Sequence, residues 1–544
     1  MSEKRRGKRP ELQPDNFSDG ELVFALVAPI GLDYGQVAEN LRSQLSEFNY
    51  DAKVIRLSSQ IEPLCQLLKA PCKIDNSSEL RRIKSHIEAA NSLCRAFNKR
   101  CSETDRNAVL ALAAASVIGS ARSEDGTSAE KQPLLRTAHI LATLKRPEEI
   151  RHLRRIYGVG LHVIGIFATE EERMRHLVRQ RHLSERQAQE LIDTDEDDKK
   201  DGGQRTGDAF HLADVFVDVG GNDVWKREIG RYLDVIFSHP YKTPTQDEQA
   251  MFMAYSASLR SAQFGRQVGA AIANDNGDVI AIGCNEVPKP HGGQYWYKDV
   301  PDERDHEKGC DSNDQEKSAI LDQILSTLPK RLQTSDSLRA KMRKTSLFSI
   351  TEFGRATHAE MEAILSCARR GVSTKNQILF TTTFPCHNCA RHIINAGIKR
   401  VVYIEPYPKS KASALHNDAI DLGGESRLGN GTNKIPFVPF VGIAPRKYAE
   451  IFTVEPMYGK TIKRKPDDGS GMAINWERSG GILRSAMLPI SYLQREQLSA
   501  SKLANAVLSK KKARQAMLEG SKGDGGRTAE KRRRDEKEPR ASAA

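Results

Sequence analysis

The sequence predicts an α/β protein with two domains in tandem, the second a three-layer α/β/α unit. Three observations carry that expectation. The chain has 544 residues, more than one hydrophobic core serves, so two to four domains are expected. Residues 21–57 read as strand, glycine-bearing turn, helix and strand, the rhythm of a parallel sheet covered by helices. Further on, a helix near residue 360 and a strand running into a second helix near 386 carry a histidine, a glutamate and two cysteines at metal-site spacing.

Composition narrows the class. With 38% hydrophobic and 28% charged residues, the chain reads as a soluble globular protein with polar extensions. No run reaches the roughly 20 apolar residues of a membrane span. The longest apolar run, 108–118, is Ala-rich and ends at Gly119, as a buried helix does. The opening Met-Ser-Glu-Lys-Arg-Arg lacks the apolar core of a secretion signal. Nine cysteines without a framework spacing suit a reducing, cytoplasmic setting, where thiolates can hold metal. The net charge of +12 is concentrated at the two ends. Residues 1–10 hold five bases and one acid and residues 510–544 hold twelve bases and six acids, leaving about +2 for everything between. Basic tails at 1–20 and in the final segment therefore read as solubilising disorder. Weak phosphate contact with nucleic acid is the alternative.

In order, Leu22–Val27 forms a strand, Ala28-Pro29-Ile30-Gly31 a turn, Tyr34 to Phe48 a helix and Asp51 to Leu57 a second strand. That is how a nucleotide-binding α/β domain opens, and Gly31 is the candidate residue for a phosphate at the helix N-terminus. The turn lacks the Lys and hydroxyl of G-x-x-x-x-G-K-[ST], so a scaffold without phosphotransfer is the favoured reading. Helices follow at Glu79 to Asn98 and Asn107 to Ile118, then a strand at Arg136 to Thr143 and a helix at Glu148 to Tyr157. Strand Leu161 to Ala168 leads to helix Glu170 to Arg181. Ser184 to Gly207, with Asp195-Glu196-Asp197-Asp198, reads as a solvated loop and a weak metal candidate. Strand Ala213 to Val219 closes the unit, and Pro240 to Pro244 marks its boundary. The expected division is 1–20 tail, 21–243 first domain, 244–460 second domain and 461–544 variable extension.

The second domain begins with helix Asp247 to Ala262 and a hairpin, Val268 to Ile272 and Val279 to Asn285, turned by Asn276-Gly277. A polar insertion at 291–353 carries a helix from Gln315 to Leu328, and insertions of that length are usually functional loops or lids. Strand Gln377 to Thr383, helix Cys386 to Ala396 and strand Arg400 to Ile404 follow. The pattern weakens beyond Tyr448, and the region after Arg495 reads as helix and charged tail.

His358-Ala359-Glu360 followed by Pro385-Cys386-His387-Asn388-Cys389 is H-x-E with P-C-x-x-C, the pattern of zinc nucleobase deaminases. His358, Cys386 and Cys389 supply one nitrogen and two sulfurs, leaving the fourth tetrahedral position open. Cysteines at a helix start favour the thiolate. Glu360 can face the bound water and act as acid and base without joining the ligands. A structural zinc knuckle is the bland alternative, but it needs a fourth protein ligand, and none is obvious here.

Leu259 to Ala270 resembles the RSxxxxxQVGA segment of the deoxycytidylate deaminase family, Gly283-Cys284-Asn285 its GxN turn and Thr382-Thr383-Phe384-Pro385-Cys386 its TLFPC, with Thr383 for Leu. Asn285-Glu286-Val287-Pro288, Gly292 to Trp296, Glu405 to Ser410, Pro439 to Arg446, Lys145 to Glu149 and Leu153 to Gly158 resemble two-domain anti-phage deaminases. Over residues 21–455 that resemblance implies an N-terminal P-loop nucleotide-kinase-like α/β domain and a C-terminal cytidine-deaminase-like α/β/α domain. It implies zinc as cofactor and deamination of dCTP or dCMP, denying an invading phage its nucleotides. It also implies a sugar 3′-hydroxyl contact at Asn285 and reading of the cytosine amine by the turn at Thr383. Arg260, Arg266, Lys409, Lys411 and Arg446 are candidate phosphate contacts, and His291, His306 and Cys310 a candidate second zinc set. Expected partners are deoxycytidine nucleotides, further copies of the chain and a phage-derived or cellular trigger. Three rival functions remain, the first two being a polynucleotide deaminase acting on tRNA or single-stranded DNA and a housekeeping dCMP deaminase. The nearly neutral folded part and the 6% aromatic content weigh against the first. The extra N-terminal domain weighs against the second. A nucleotide-sensing protein with a vestigial deaminase domain is a third rival, opposed by the intact Glu360 and three ligands.

Overall fold

The computed structural model describes residues 19–122, 132–196, 198, 201–220, 223–406, 410–422, 433–456, 459–489 and 491–508. The basic tails and Lys409 lie outside the described residues. The first sheet contains β1 (Leu22–Val27), β2 (Asp51–Arg56), β3 (Thr137–Ala142), β4 (Leu161–Phe167) and β5 (Val215–Asp218). They lie in the order β5-β4-β1-β3-β2, all parallel. The unbroken apolar run of β1 is explained by cover on both faces. Val23, Ala25 and Val27 enter one core while Leu22, Phe24 and Leu26 enter another on the opposite side.

The second sheet contains β6 (Gly269–Ala273), β7 (Val279–Cys284), β8 (Ile378–Thr383), β9 (Arg400–Glu405), β10 (Ile420–Asp421) and β11 (Ile435–Pro439). Its order is β10-β11-β9-β8-β6-β7, with the β6–β7 hairpin antiparallel and β8 to β11 parallel. Two residues after β11, β12 (Gly442–Ile443) pairs antiparallel with β5 and so completes the first sheet. Helix Gln246–Ser258 buries Ala250, Met251 and Ala254 in the same core as Val23, Phe216 and Phe440, so the two α/β units share one apolar interior.

Most elements lie within a few residues of the sequence expectation. The charged stretch after Ser184 does not. Residues Glu185–Glu196 form a helix whose Ala188, Leu191 and Ile192 pack with Leu177 and Leu183. Its acidic residues occupy the other positions, which masked the apolar stripe. Asp195 is wholly buried rather than solvated.

The helix expected after Arg495 is present, and the segment before it is not independent of the fold. A helix over residues 491–508 returns to the first unit. There Arg122 pairs with Glu21 at 2.9 Å and with Glu496, while Tyr492 donates to Glu21 at 2.5 Å and His139 approaches it at 3.2 Å. Glu21, Arg122 and Glu496 are all buried, so each charge depends on its partner. Among the described residues no helix is long and apolar enough to cross a membrane.

Candidate metal centre and active site

Two helix starts face each other at the ends of β7 and β8. His358 is the N-cap of helix Ala359–Arg369, and Cys386 is the N-cap of helix His387–Asn395. Gly283 on β7 allows the first helix to approach, because a Cβ there would collide with the Ala359 carbonyl oxygen. The segment before His358 is strapped down by reciprocal backbone bonds between Glu286 and Thr357, at 3.3 and 3.1 Å. The Glu286 side chain, fully buried, accepts from the backbone N–H groups of Ala262 and Val287, both at 2.9 Å, and from Gln263 Nε2 at 3.1 Å. Glu286 lies within the Asn285-Glu286-Val287-Pro288 motif, which by itself assigns it no role. Its signal was a carboxylate adjoining Asn285 at the end of a buried strand.

His358 Nδ1 lies 3.3 Å from the sulfurs of both Cys386 and Cys389. One nitrogen and two sulfurs thus converge as the spacing required. Glu360, buried, places Oε2 3.4 Å from Cys389 Sγ and Oε1 3.4 Å from Thr381 Oγ1. Thr381, absent from the candidate residues, also donates to the Thr383 carbonyl at 3.1 Å.

The three groups are electrostatically linked, and of them Cys386 alone is shifted toward the deprotonated form a ligand needs. The hydrogen bond to Cys386 raises the His358 imidazole to about 9 against the effect of burial. Bonds from Cys389 and His358 lower Cys386 to about 4, the thiolate character a ligand needs. Cys389, bonded to Cys386 and buried, is pushed up. Burial, followed by the Cys386 charge, raises Glu360. The nitrogen–sulfur–sulfur set fits zinc, and three protein ligands leave a position for water.

The remaining candidates fall into separate groups. Both ends of the Asn285 side chain hold the adjacent loop: Nδ2 donates to the Arg266 carbonyl and Oδ1 accepts from Val268 N–H, each at 2.8 Å. Arg260 is occupied by the insertion. It donates to the Gln294 and Tyr295 carbonyls at 3.1 and 2.9 Å and stacks 3.8 Å from the Trp296 ring centroid. Arg266, exposed, pairs with Glu405 at 2.7 Å. Thr383, buried, reaches the same carboxylate at 3.5 Å. His291, His306 and Cys310 do not assemble; His306 instead groups with Asp302 and Glu307.

Gly31 belongs to the first unit, after β1, with φ +89°. It borders a cavity of about 240 Å³ whose lining includes Arg82, His86, Lys145 and His176. The anion at this turn belongs to the chain itself. Asp195 accepts from Ile30 N–H and Lys145 Nζ, both at 2.8 Å, and from Thr206 at 3.1 Å.

Residues 244–405 match the model of the cytidine and deoxycytidylate deaminase zinc-binding region. The chain is 39% identical over 74 residues to the deoxycytidylate deaminase of enterobacteria phage T2, covering 13% of this chain and 39% of that protein. It is 26% identical over 178 residues to the Pongo abelii deoxycytidylate deaminase, covering 32% and 75%. ComE operon protein 2 of Bacillus subtilis is 49% identical over 53 residues, 10% of this chain and 28% of that protein. The chain thus spans under two fifths of the length of both microbial relatives. A solved dCMP deaminase from cyanophage S-TIM5 aligns at 18% identity with a TM-score of 0.20, covering 36% of this chain and 99% of that one. The C-terminal region of the chain carries a cytidine and deoxycytidylate deaminase superfamily domain, whose metal is zinc.

Proposed function

We propose that the protein hydrolytically deaminates free deoxycytidine nucleotides, dCMP and dCTP, to their uridine counterparts and ammonia. The observation that carries this reading is the convergence of His358, Cys386 and Cys389 on one point with the Glu360 carboxylate against it. Bound zinc supplies the Lewis acidity that makes water nucleophilic at neutral pH. Glu360 accepts one proton from the water and passes it to ring N3 as the amine carbon is attacked, then takes the proton of the newly added hydroxyl and gives it to the leaving amine as the C–N bond breaks. Burial raises its affinity for protons, which suits a group that must both take and give one. Thr381 holds the Glu360 carboxylate in place, and Asn285 fixes the loop that borders the base.

The biological reading is depletion of the deoxycytidine nucleotide pool in antiviral defence, in the cytoplasm, by a homo-oligomer released by a phage-derived or cellular signal. Its support is the sequence resemblance over residues 21–455 and the additional parallel α/β unit, which deamination alone does not require. The test is ammonia release by the purified zinc protein offered dCMP, dCTP, CTP and single-stranded DNA, with Glu360→Ala as control. Turnover of the free deoxynucleotides alone upholds the proposal. Turnover of DNA alone refutes it.

A further inference from the structure

A cavity of about 190 Å³ lies where the two α/β units meet, one strand-end away from the metal centre. At about 30 Å³ per water it has room for roughly six waters, or for a phosphoryl group. His211 and Arg446 enter it from the side of the first sheet, and Tyr255, Gln267, Thr383 and Glu405 from the side of the second.

Its charges are not evenly satisfied. Glu405 is committed to Arg266 at 2.7 Å, and nearby Asp214 to Arg154 at 2.5 Å. Arg446, by contrast, donates to the neutral His211 carbonyl and pairs with no carboxylate among the described residues. Burial lowers its pKa and Arg154 adds to that, while Asp214, Tyr255 and Glu405 oppose it, so acidic groups act on Arg446 without forming an ion pair with it. His211 Nδ1 is buried and has no hydrogen-bond partner. Burial lowers the His211 pKa; Glu405 and the Gly207 backbone oppose this, while Arg446 and Arg266 reinforce it. A guanidinium without a directly paired carboxylate and an imidazole nitrogen without a hydrogen-bond partner therefore border one small space. A buried nitrogen without a partner is costly, and an anion accepting from His211 Nδ1 and from the half-buried Arg446 would satisfy it.

The cavity is also in register with the chemistry. Thr383 borders it, and the Thr383 carbonyl accepts from Thr381, which contacts Glu360. Thr381 and Thr383, two residues apart on β8, are about 7 Å apart along the strand. We propose that the cavity holds the phosphoryl end of the nucleotide whose base lies at Glu360, with Arg446 as counter-charge and His211 as hydrogen-bond donor. The first α/β unit then supplies part of the substrate site, which gives the fusion a direct chemical role. The proposal rests on the deaminase reading given above.

The test compares KM for dCMP, dCTP and unphosphorylated deoxycytidine in the full-length zinc protein and its Arg446→Met, Arg446→Lys and His211→Ala variants. Arg446→Met is expected to raise the nucleotide KM about 10- to 150-fold more than the nucleoside KM, the scale of hydrogen bonds to a charged group. Arg446→Lys should restore part of the difference, and His211→Ala should give a smaller shift of the same kind, about 2- to 13-fold. Equal losses on nucleoside and nucleotide, or no loss, overturn the proposal. If the wild type deaminates none of the three, the functional reading fails first. The cavity is then judged by titrating inorganic phosphate into the wild type and Arg446→Met. Weaker binding in the variant supports a phosphoryl site, and equal or absent binding refutes one. Loss of phosphate binding with nucleotide KM unchanged would mean that the cavity takes a separate phosphorylated molecule, which also overturns the proposal.

Discussion

Glu360→Gln isolates the proton-transfer step. The amide has nearly the same shape, so it can occupy the buried site beside Thr381 and Cys389, each 3.4 Å from the native carboxylate. It cannot accept a proton from water. General acid–base catalysis contributes about 10² to 10⁴-fold, equivalent to about 2.7–5.5 kcal/mol of barrier. The kcat for dCMP should therefore fall by about 10² to 10⁴-fold. Zinc content should remain that of the wild type, because His358, Cys386 and Cys389 are untouched. The assay pairs ammonia release under saturating substrate with metal analysis of the same preparation. Activity within about tenfold of wild type would refute the assignment of Glu360 as proton carrier. Loss of zinc would show instead that the glutamate supports the ligands.

The other predictions probe support of the centre and the fold. Thr381→Val removes the hydroxyl that contacts Glu360 and the Thr383 carbonyl, so kcat should drop about 2- to 13-fold with zinc retained; an unchanged kcat would remove its positioning role. Gly283→Ala drives a methyl into the Ala359 backbone, and overpacking of about 1–3 kcal/mol should lower thermal stability and zinc retention together. A variant with wild-type zinc content and melting temperature would contradict that. Burial lowers His152 to about 4 and His162 to about 3, below the ordinary 6.5, so the unfolded chain binds these protons first. Stability should be full above pH 6.5 and decline as pH falls toward 4. Burial shifts Glu149, Glu360 and Glu496 upward, which opposes this decline, so the histidine share is read from the difference between wild type and variant. His152→Gln should flatten that decline in the melting-temperature profile; an identical slope would discount the histidine's share.

The centre was legible in the sequence because its parts are local. His358 and Glu360 straddle one helix start, and Cys386 and Cys389 lie within the first turn of another. The parallel strands were legible through their apolar runs, β1 above all. Tertiary choices were not. Nothing adjacent to Asp195 announces that it will accept from the Ile30 backbone 165 residues away. Arg260 and Arg266 look alike in sequence, yet one is bound to insertion carbonyls and the other to Glu405. Their fates depend on loops whose course has no short-range signal. The helix over Glu185–Glu196 was hidden for another reason: clustered acids obscured an apolar stripe only a few residues long.

The late arrival of β12 has a consequence for synthesis of the chain. Val215–Asp218 is made long before Gly442–Ile443, the strand that covers its open side. At ordinary translation speeds the gap corresponds to roughly 10 to 45 s. The partner of Arg122 at Glu496 emerges later still. During that interval the nascent first unit presents an unpaired strand edge, the kind of surface that recruits foreign strands. The ribosome thus releases a protein whose earliest sheet is finished among its last acts.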